Sequence, residues 1–113
     1  MIPKLYSNQK AIRIAKTECN KDNPYAVINL AALEGAMKAL KPNAFKVWCY
    51  LCRNQTNYEF ALSGVEVQTK CNMSDKTYRS AVNELIEKQY LVEVELYEGL
   101  TGYLFIDKGY GGD

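Results

Sequence analysis

The segment 44–52 constrains the fold most, because it is apolar on nearly every side of a helix. Its run Ala-Phe-Lys-Val-Trp-Cys-Tyr-Leu-Cys contains a single charged residue and no turn-forming residue. Pro42 suits the first turn of a helix, so the pattern predicts a helix over about 42–54. The other elements must surround a helix with so little polar face. In a chain of 113 residues, this predicts one core and one domain.

Composition excludes several classes of protein. Apolar residues make up 48% of the chain, which argues against disorder. No apolar run approaches the roughly 18 residues that span a bilayer, and the start lacks the pattern of a signal peptide. We therefore expect a soluble, cytoplasmic protein without membrane contact. There is no histidine, no glycine-rich phosphate loop and no evident carboxylate pair, so we expect neither an enzyme nor a cofactor.

The four cysteines do not have the pattern of a metal site. Cys49 and Cys52 have CxxC spacing, but they lie inside the apolar helix rather than in a tight turn. Cys19 and Cys71 stand alone in the sequence. Free cysteine commonly packs as a small apolar residue, so we predict four core thiols and no zinc.

Two further helices precede and follow the apolar one. Asn29 can cap a helix whose apolar residues recur at spacings of three and four, and which ends before Pro42. The predicted inner face of this helix is Leu30, Leu33, Met37 and Leu40. Ser63 opens the next helix, which places Val67 and Cys71 on its inner face.

The residues 71–74 predict a tight corner between two helices. Asn72 suits the left-handed position that ends a helix, and Ser74 suits the N-cap of the next helix. Met73 lies between them as an apolar plug. The helix that follows, 74–88, repeats apolar residues at helical spacing on one face: Tyr78, Ala81, Val82, Leu85 and Ile86.

After Gln89 the apolar pattern changes to alternation. Residues 91–96 predict a strand, 97–102 a turn and 103–106 the returning strand. Residues 58–62 alternate like a very short strand, and 11–28 predict an N-terminal hairpin around a turn at 19–24. We expect a flexible arm over 1–10, a single domain over 11–107 and a flexible tail over 108–113.

These elements predict an α+β fold with a helix-turn-helix and a C-terminal β-hairpin. Two stretches carry a resemblance: Leu40-Lys-Pro-Asn-Ala-Phe-Lys-Val-Trp-Cys-Tyr-Leu-Cys, and the pattern MS-x-K-T-x-x-x-A-x-x-E-L-x-x-K-x-Y-L, which begins at Met73. They resemble the winged helix-turn-helix of phage and plasmid replication initiators and of small Gram-positive phage proteins. The resemblance covers residues 25–107. It implies that the helix 74–88 reads the DNA major groove and that the hairpin wing touches phosphates or the minor groove.

The chain departs from that family pattern at three places. Asn72 and Gln89 stand where the family commonly has glycine. The wing is acidic through Glu93 and Glu95, whereas a wing that touches phosphates is normally basic. These departures leave the wing's contact with DNA open.

The outer face of the helix 74–88 contains the candidate DNA-binding residues. Lys76, Arg79 and Asn83 recur at spacings of three and four, and Arg and Asn side chains can read guanine and adenine. The start of the helix can hold a phosphate. The full set is Lys70, Ser74, Lys76, Thr77, Arg79 and Asn83. The same residues are also typical of a solvated helix face.

Charge is distributed unevenly, which supports a second hypothesis. Residues 1–53 carry nine Lys or Arg and three Asp or Glu, whereas 54–113 carry five and ten. The basic N-terminal region can bind phosphates or an acidic protein surface, or it can simply be solvated. The acidic wing with its tyrosines is typical of a protein interface. The candidate interface residues are Glu93, Glu95, Tyr97, Glu98 and Tyr103.

Two functions therefore follow from the sequence. The first is a double-stranded DNA binder, a transcriptional regulator or a replication-initiator module, dimerising on a palindromic site. The second is a phage-encoded inhibitor or adaptor that binds a host or phage protein through the acidic wing.

Overall fold

Four helices are followed by a two-stranded antiparallel hairpin. The computed structural model describes Lys4, residues 7–53 and residues 61–109. The elements are α1 (Leu30–Ala39), α2 (Pro42–Cys52), α3 (Gly64–Cys71), α4 (Asp75–Glu87), β1 (Leu91–Tyr97) and β2 (Leu100–Phe105). This is the predicted α+β fold, a winged helix-turn-helix.

The core surrounds α2, as its apolar pattern predicts. Trp48 is fully buried, with Phe45 stacked beside it at 5.8 Å between ring centroids and Phe105 of the wing edge-on at 6.5 Å. Val67 of α3 and Leu85 of α4 are likewise fully buried. One tryptophan therefore joins the helices to the base of the wing.

The corner between α3 and α4 forms as predicted. Asn72 has the left-handed backbone, with φ 54°. The amide of Met73 donates to the carbonyl of Gln68 at 3.0 Å, which satisfies one of the last carbonyls of α3. Ser74 caps α4 by accepting from the amide of Thr77. Met73 is half-buried and packs against the core, as the predicted apolar plug should.

Gln89 adopts the left-handed conformation, with φ 65°, at the corner between α4 and β1. The amide of Gln89 donates to Ile86 at 3.0 Å, and the amide of the buried Tyr90 donates to Leu85 at 2.8 Å. This pair of bonds is the Schellman arrangement that normally uses glycine. Gln89 therefore keeps the corner's shape despite the unfavourable φ for a residue with a Cβ.

The wing has the predicted strands but a tighter turn. Leu91 pairs with Phe105 and Glu93 with Tyr103, and a bulge falls between Glu95 and Tyr97. Leu100 already pairs with Tyr97, so the predicted six-residue turn is too long. Gly99, with φ 77°, provides the left-handed position that a shorter turn requires.

The predicted inner face of α1 is wrong in part. Asn29 caps the helix as predicted, by accepting from the amide of Ala32 at 2.9 Å. However, the buried residues of α1 are Ala32 and Ala36, while Leu30 and Met37 are 67% and 62% exposed. The prediction holds for Leu33, which packs half-buried against the core, and for Leu40, which is buried directly after the helix ends.

The predicted N-terminal hairpin is wrong. Residues 7–28 contain no strand, and every residue from 7 to 27 is exposed. The turn within 19–24 does form, since Asn20 and Asn23 exchange two backbone hydrogen bonds. A two-stranded hairpin with nothing to pack against is marginally stable in water, and no element in the described part of the chain covers residues 7–27.

Several predictions fall wholly or partly outside the described residues. Of the arm 1–10, only Lys4 and residues 7–10 are described, without a strand or helix, and the tail is described only to 109. Of the short strand 58–62, only 61 and 62 are described, and they are not in a strand. The domain boundaries stay predictions.

Three of the four cysteines are at least partly buried, as predicted, but Cys19 is exposed in the N-terminal segment. Burial raises the pKa of Cys49 and Cys71 and raises that of Cys52 to about 12. These three thiols are therefore protonated at neutral pH, which suits packing rather than chemistry.

Candidate nucleic-acid interface

One face of α4 is a continuous exposed polar surface. Lys76, Arg79 and Asn83 are all exposed, whereas Ala81 and Leu85 on the opposite side are 4% and 0% exposed. The structure therefore brings the three predicted side chains together along one line of the helix. We call Lys76, Arg79 and Asn83 the α4 stripe.

Arg79 is held by a neighbour on its own helix. Its Nε lies 2.9 Å from Oδ2 of Asp75, and the two side chains are 75% and 56% exposed. Gln68 of α3 donates to the other oxygen of Asp75 at 3.3 Å. An ion pair this exposed contributes little, about 0–1 kcal/mol. Arg79 can therefore leave Asp75 for a stronger partner at small cost.

Ser74 and Thr77 form the cap at the start of α4. Ser74 Oγ accepts from the amide of Thr77 at 3.2 Å and lies 3.0 Å from its hydroxyl. Thr77 is half-buried and faces a groove between the start of α2 and α4. That groove is lined by Lys41, Asn43, Lys76, Thr77, Ser80 and Glu84, among others. Thr77 thus lies beside the α4 stripe rather than on it.

Lys70 is exposed at the end of α3 and belongs to a second cationic group. It lines an open groove with Lys46 of α2 and Arg53, the residue that follows α2. Lys46 Nζ donates to the carbonyl of Cys71 at 3.4 Å, and the Arg53 guanidinium lies 4.8 Å from the Tyr50 ring centroid. Sequence reasoning missed Lys46 and Arg53 as neighbours of Lys70. Their seven-residue spacing, which places Lys46 and the residue just after the end of α2 on one side of that helix, was the available signal.

Glu84 joins α4 to the start of α2, and sequence reasoning missed it. Its Oε2 accepts from the backbone amide of Lys41 at 2.8 Å and from Lys88 Nζ at 3.0 Å. Burial acts to raise the pKa of Glu84, but these hydrogen bonds and the nearby lysine charges outweigh it and lower the pKa. Glu84 therefore fixes how α4, and with it the α4 stripe, is held against α2.

We expect Glu84→Gln to reduce stability by about 1 kcal/mol at neutral pH, less than the roughly 1.5–3 kcal/mol of a hydrogen bond to a charged group, because the glutamine oxygen can still accept from the Lys41 amide. Because the folded pKa is lowered, the carboxylate stabilises the protein above its unfolded pKa of about 4.3 and loses that contribution as pH falls through the folded pKa. Urea unfolding of both proteins from pH 7 to pH 3 measures this. Their stabilities should converge at the acid end. A difference that stays constant with pH contradicts the assigned role.

The candidate interface residues of the wing are exposed. Glu93 pairs across the hairpin with Tyr103, which is 42% exposed, and Tyr97 is 55% exposed. Glu95 accepts from the amide of Gly99 at 2.9 Å, so one carboxylate supports the turn. Glu98 lies in that turn. The structure therefore presents an acidic surface with two tyrosines on the hairpin.

The described residues contain no helix long and apolar enough to cross a membrane. They also contain no group of three or more His, Cys, Asp or Glu side chains placed to hold a metal ion.

Residues 38–91 match the model of a protein family described as a helix-turn-helix domain. The match runs from the end of α1 through α2, α3 and α4 to the first residue of the wing. It confirms the predicted helix-turn-helix, and such a domain suggests DNA binding. No curated protein and no solved structure matches the chain significantly.

Proposed function

Because the chain carries a helix-turn-helix domain with α4 as its second helix, we propose that it binds double-stranded DNA by placing α4 in the major groove. The observation that carries this proposal is the α4 stripe, which is exposed along its whole length. The major groove, about 12 Å wide, admits a helix. We further propose a role as a transcriptional regulator or replication-initiator module of the phage or plasmid type.

The residues of the α4 stripe have distinct proposed roles. Arg79 pairs with guanine and Asn83 with adenine, the bidentate contacts that these side chains favour. Lys76, one turn earlier, lies close to the helix start and contacts a phosphate. Lys70, Ser74 and Thr77 support that phosphate contact from the corner between α3 and α4.

The wing adds little to this proposed binding. Residues 91–107 contain no lysine or arginine, so the hairpin offers no cation to a phosphate. Phosphate contacts supply much of a DNA-binding protein's affinity. A single copy therefore depends on α4 and the corner before it, and two copies on a palindromic site are the usual means of raising affinity.

We expect the protein to bind selected duplexes from a source-genome pool more tightly than random duplexes, and Arg79→Ala to weaken that binding by about 5- to 150-fold, equivalent to 1–3 kcal/mol. Fluorescence anisotropy at two salt concentrations measures both. Binding should weaken as salt rises, because cations on α4 displace counterions from the phosphates.

Lys38→Ala is the matched control. Lys38 is exposed in the last turn of α1, carries the same charge as Arg79 and is not part of the α4 stripe. We expect this variant to bind like the unchanged protein. An equal loss in both variants indicates a general charge effect, and no binding at low salt rejects the proposal for this chain.

A second candidate function is a protein-binding inhibitor or adaptor that uses the wing. The observation that favours it is the exposed acidic surface of Glu93, Glu95 and Glu98 beside Tyr97 and Tyr103. Such a surface fits a basic protein partner. Reversing Glu93 and Glu95 to lysine should abolish binding to that partner in a pull-down, while DNA binding by the unchanged protein stays undetectable. Sequence-selective DNA binding that depends on Arg79 contradicts this alternative.

A further inference from the structure

Exposed apolar side chains occur in the N-terminal segment and in the wing, among other places. Ile12 and Ile14 of the N-terminal segment are 84% and 72% exposed. In the wing, Leu96 and Leu104 are 42% and 49% exposed. Exposed apolar surface in a folded protein commonly marks a place where another chain binds.

The wing presents one apolar face and one acidic face. The apolar face contains Val92, Val94 and Leu104, which pairs with Val92. Leu96 packs over Gly102 on the same face. Glu93 and Glu95 lie on the other face, by strand alternation.

The outer edge of β1 has no partner strand in the part of the chain that the structure describes. The sheet there consists of β1 and β2 alone. The backbone groups of 92–96 that point away from β2 are therefore available to another strand, and open edges of this kind recruit extended segments.

Residues 11–15 of the N-terminal segment have the same alternation, with a cation in place of the acids. In an extended chain, Ile12 and Ile14 lie on one face and Arg13 on the other, and Lys16 follows at the end of the isoleucine face. Placed beside β1, the two isoleucines meet Val92, Val94 and Leu96, while Arg13 meets the acidic face. Cross-strand pairs of both kinds stabilise a sheet.

We propose that residues 11–16 of one copy add as a third strand to the outer edge of β1 in a second copy, and that the second copy returns the same contact. Each exchange covers Ile12 and Ile14 and neutralises part of the acidic wing. Two reciprocal exchanges form a closed two-fold dimer, because each copy contributes one segment and one wing.

A second copy fits this contact better than the chain's own wing. Within one chain, every residue from 7 to 27 is exposed, so the segment lies away from the wing. The inference is independent of DNA binding, since none of its residues belongs to the α4 stripe. A two-fold dimer would nevertheless present two α4 helices, as a palindromic site requires.

The first test measures the mass of the full-length protein by sedimentation equilibrium over a wide concentration range. We expect a reversible dimer for the unchanged chain and a monomer for Ile12→Lys/Ile14→Lys at the same concentrations. Both residues are exposed in the monomer, so the substitutions leave the fold intact, which circular dichroism checks. The matched control is Val65→Lys in α3, a residue 75% exposed, which should leave the dimer unchanged.

The second test separates exchange between copies from a contact within one chain. Arg13→Glu places like charges opposite Glu93, and Glu93→Arg places them opposite Arg13. Because each dimer contains the pair twice, we expect either variant alone to dimerise about tenfold more weakly. Mixing the two variants restores a heterodimer, since both exchanged pairs then join opposite charges. The double variant Arg13→Glu/Glu93→Arg also restores dimerisation on its own.

The proposal is overturned by a monomer at every concentration, by a dimer that is unaffected by Ile12→Lys/Ile14→Lys, or by a mixture that forms no more dimer than its separate components. Hydrogen exchange that shows residues 11–16 protected in a monomer assigns the contact to the chain's own wing and overturns the exchange between copies. None of these outcomes changes the expected effect of Arg79→Ala on DNA binding.

Discussion

Leu85→Ala is expected to destabilise the protein by about 2–5 kcal/mol, a large part of the 5–15 kcal/mol that holds a typical domain together. Leu85 is fully buried within the core cluster that surrounds Trp48. Its loss removes apolar contacts and leaves a cavity that the helices can close only partly. Urea unfolding followed by far-UV circular dichroism measures the change in the free energy of unfolding.

The neighbouring residue provides the matched control for this prediction. Ile86 has the same number of side-chain carbons as Leu85, lies in the same turn of α4 and is 36% exposed. Ile86→Ala should therefore cost clearly less than Leu85→Ala. Equal losses contradict the assignment of Leu85 to the core and Ile86 to its edge. The comparison also tests the sequence prediction, which placed both residues on the inner face.

The corners of the fold were predictable because their causes are local. Asn72 acts through its own backbone, and Asn29 and Ser74 act through amides three residues away. A left-handed residue or a cap needs no knowledge of the rest of the chain. The apolar segment of α2 was equally informative, since a helix without a polar face must be buried in the core.

The sequence-based predictions were wrong where one pattern of apolar residues is compatible with two different structures. In α1, spacing alone allows either the stripe with Leu30 and Met37 or the stripe with Ala32 and Ala36 to face inward. The structure buries the second stripe because that stripe packs against other elements, and the local sequence carries no information about those contacts. In the same way, the alternation of 11–16 predicts a strand correctly only if a partner strand exists, and among residues 7–53 and 61–109 none lies beside this segment.

In the candidate site too, features set by the local sequence were predictable and features set by the packing of distant elements were not. The exposure of the α4 stripe followed from subtracting the inward residues of one helix, which periodicity supports. The ion pair between Asp75 and Arg79 has helical spacing, but whether it forms depends on side-chain rotamers. The hydrogen bond from the Lys41 amide to Glu84 joins residues 43 positions apart, so only the assembled helices show it.

The double variant Arg79→Ala/Asn83→Ala is expected to lose about 2–6 kcal/mol of discrimination between the preferred duplex and random duplexes, because each bidentate base contact contributes about 1–3 kcal/mol. That is a loss of roughly 30-fold or more in selectivity. Both side chains are exposed, so the fold and the midpoint of urea unfolding should change little. Competition anisotropy against the two duplexes measures the selectivity directly.

Lys76→Ala separates base reading from phosphate contact on the same helix. If Lys76 contacts a phosphate, its loss weakens binding to all sequences alike and lowers the slope of log affinity against log salt by about one. Selectivity then stays unchanged, in contrast to the double variant. If Lys76→Ala removes selectivity while Arg79→Ala/Asn83→Ala leaves it intact, the proposed roles along α4 are reversed. If all three changes lower affinity equally for every duplex, α4 binds DNA by charge alone and does not read its sequence.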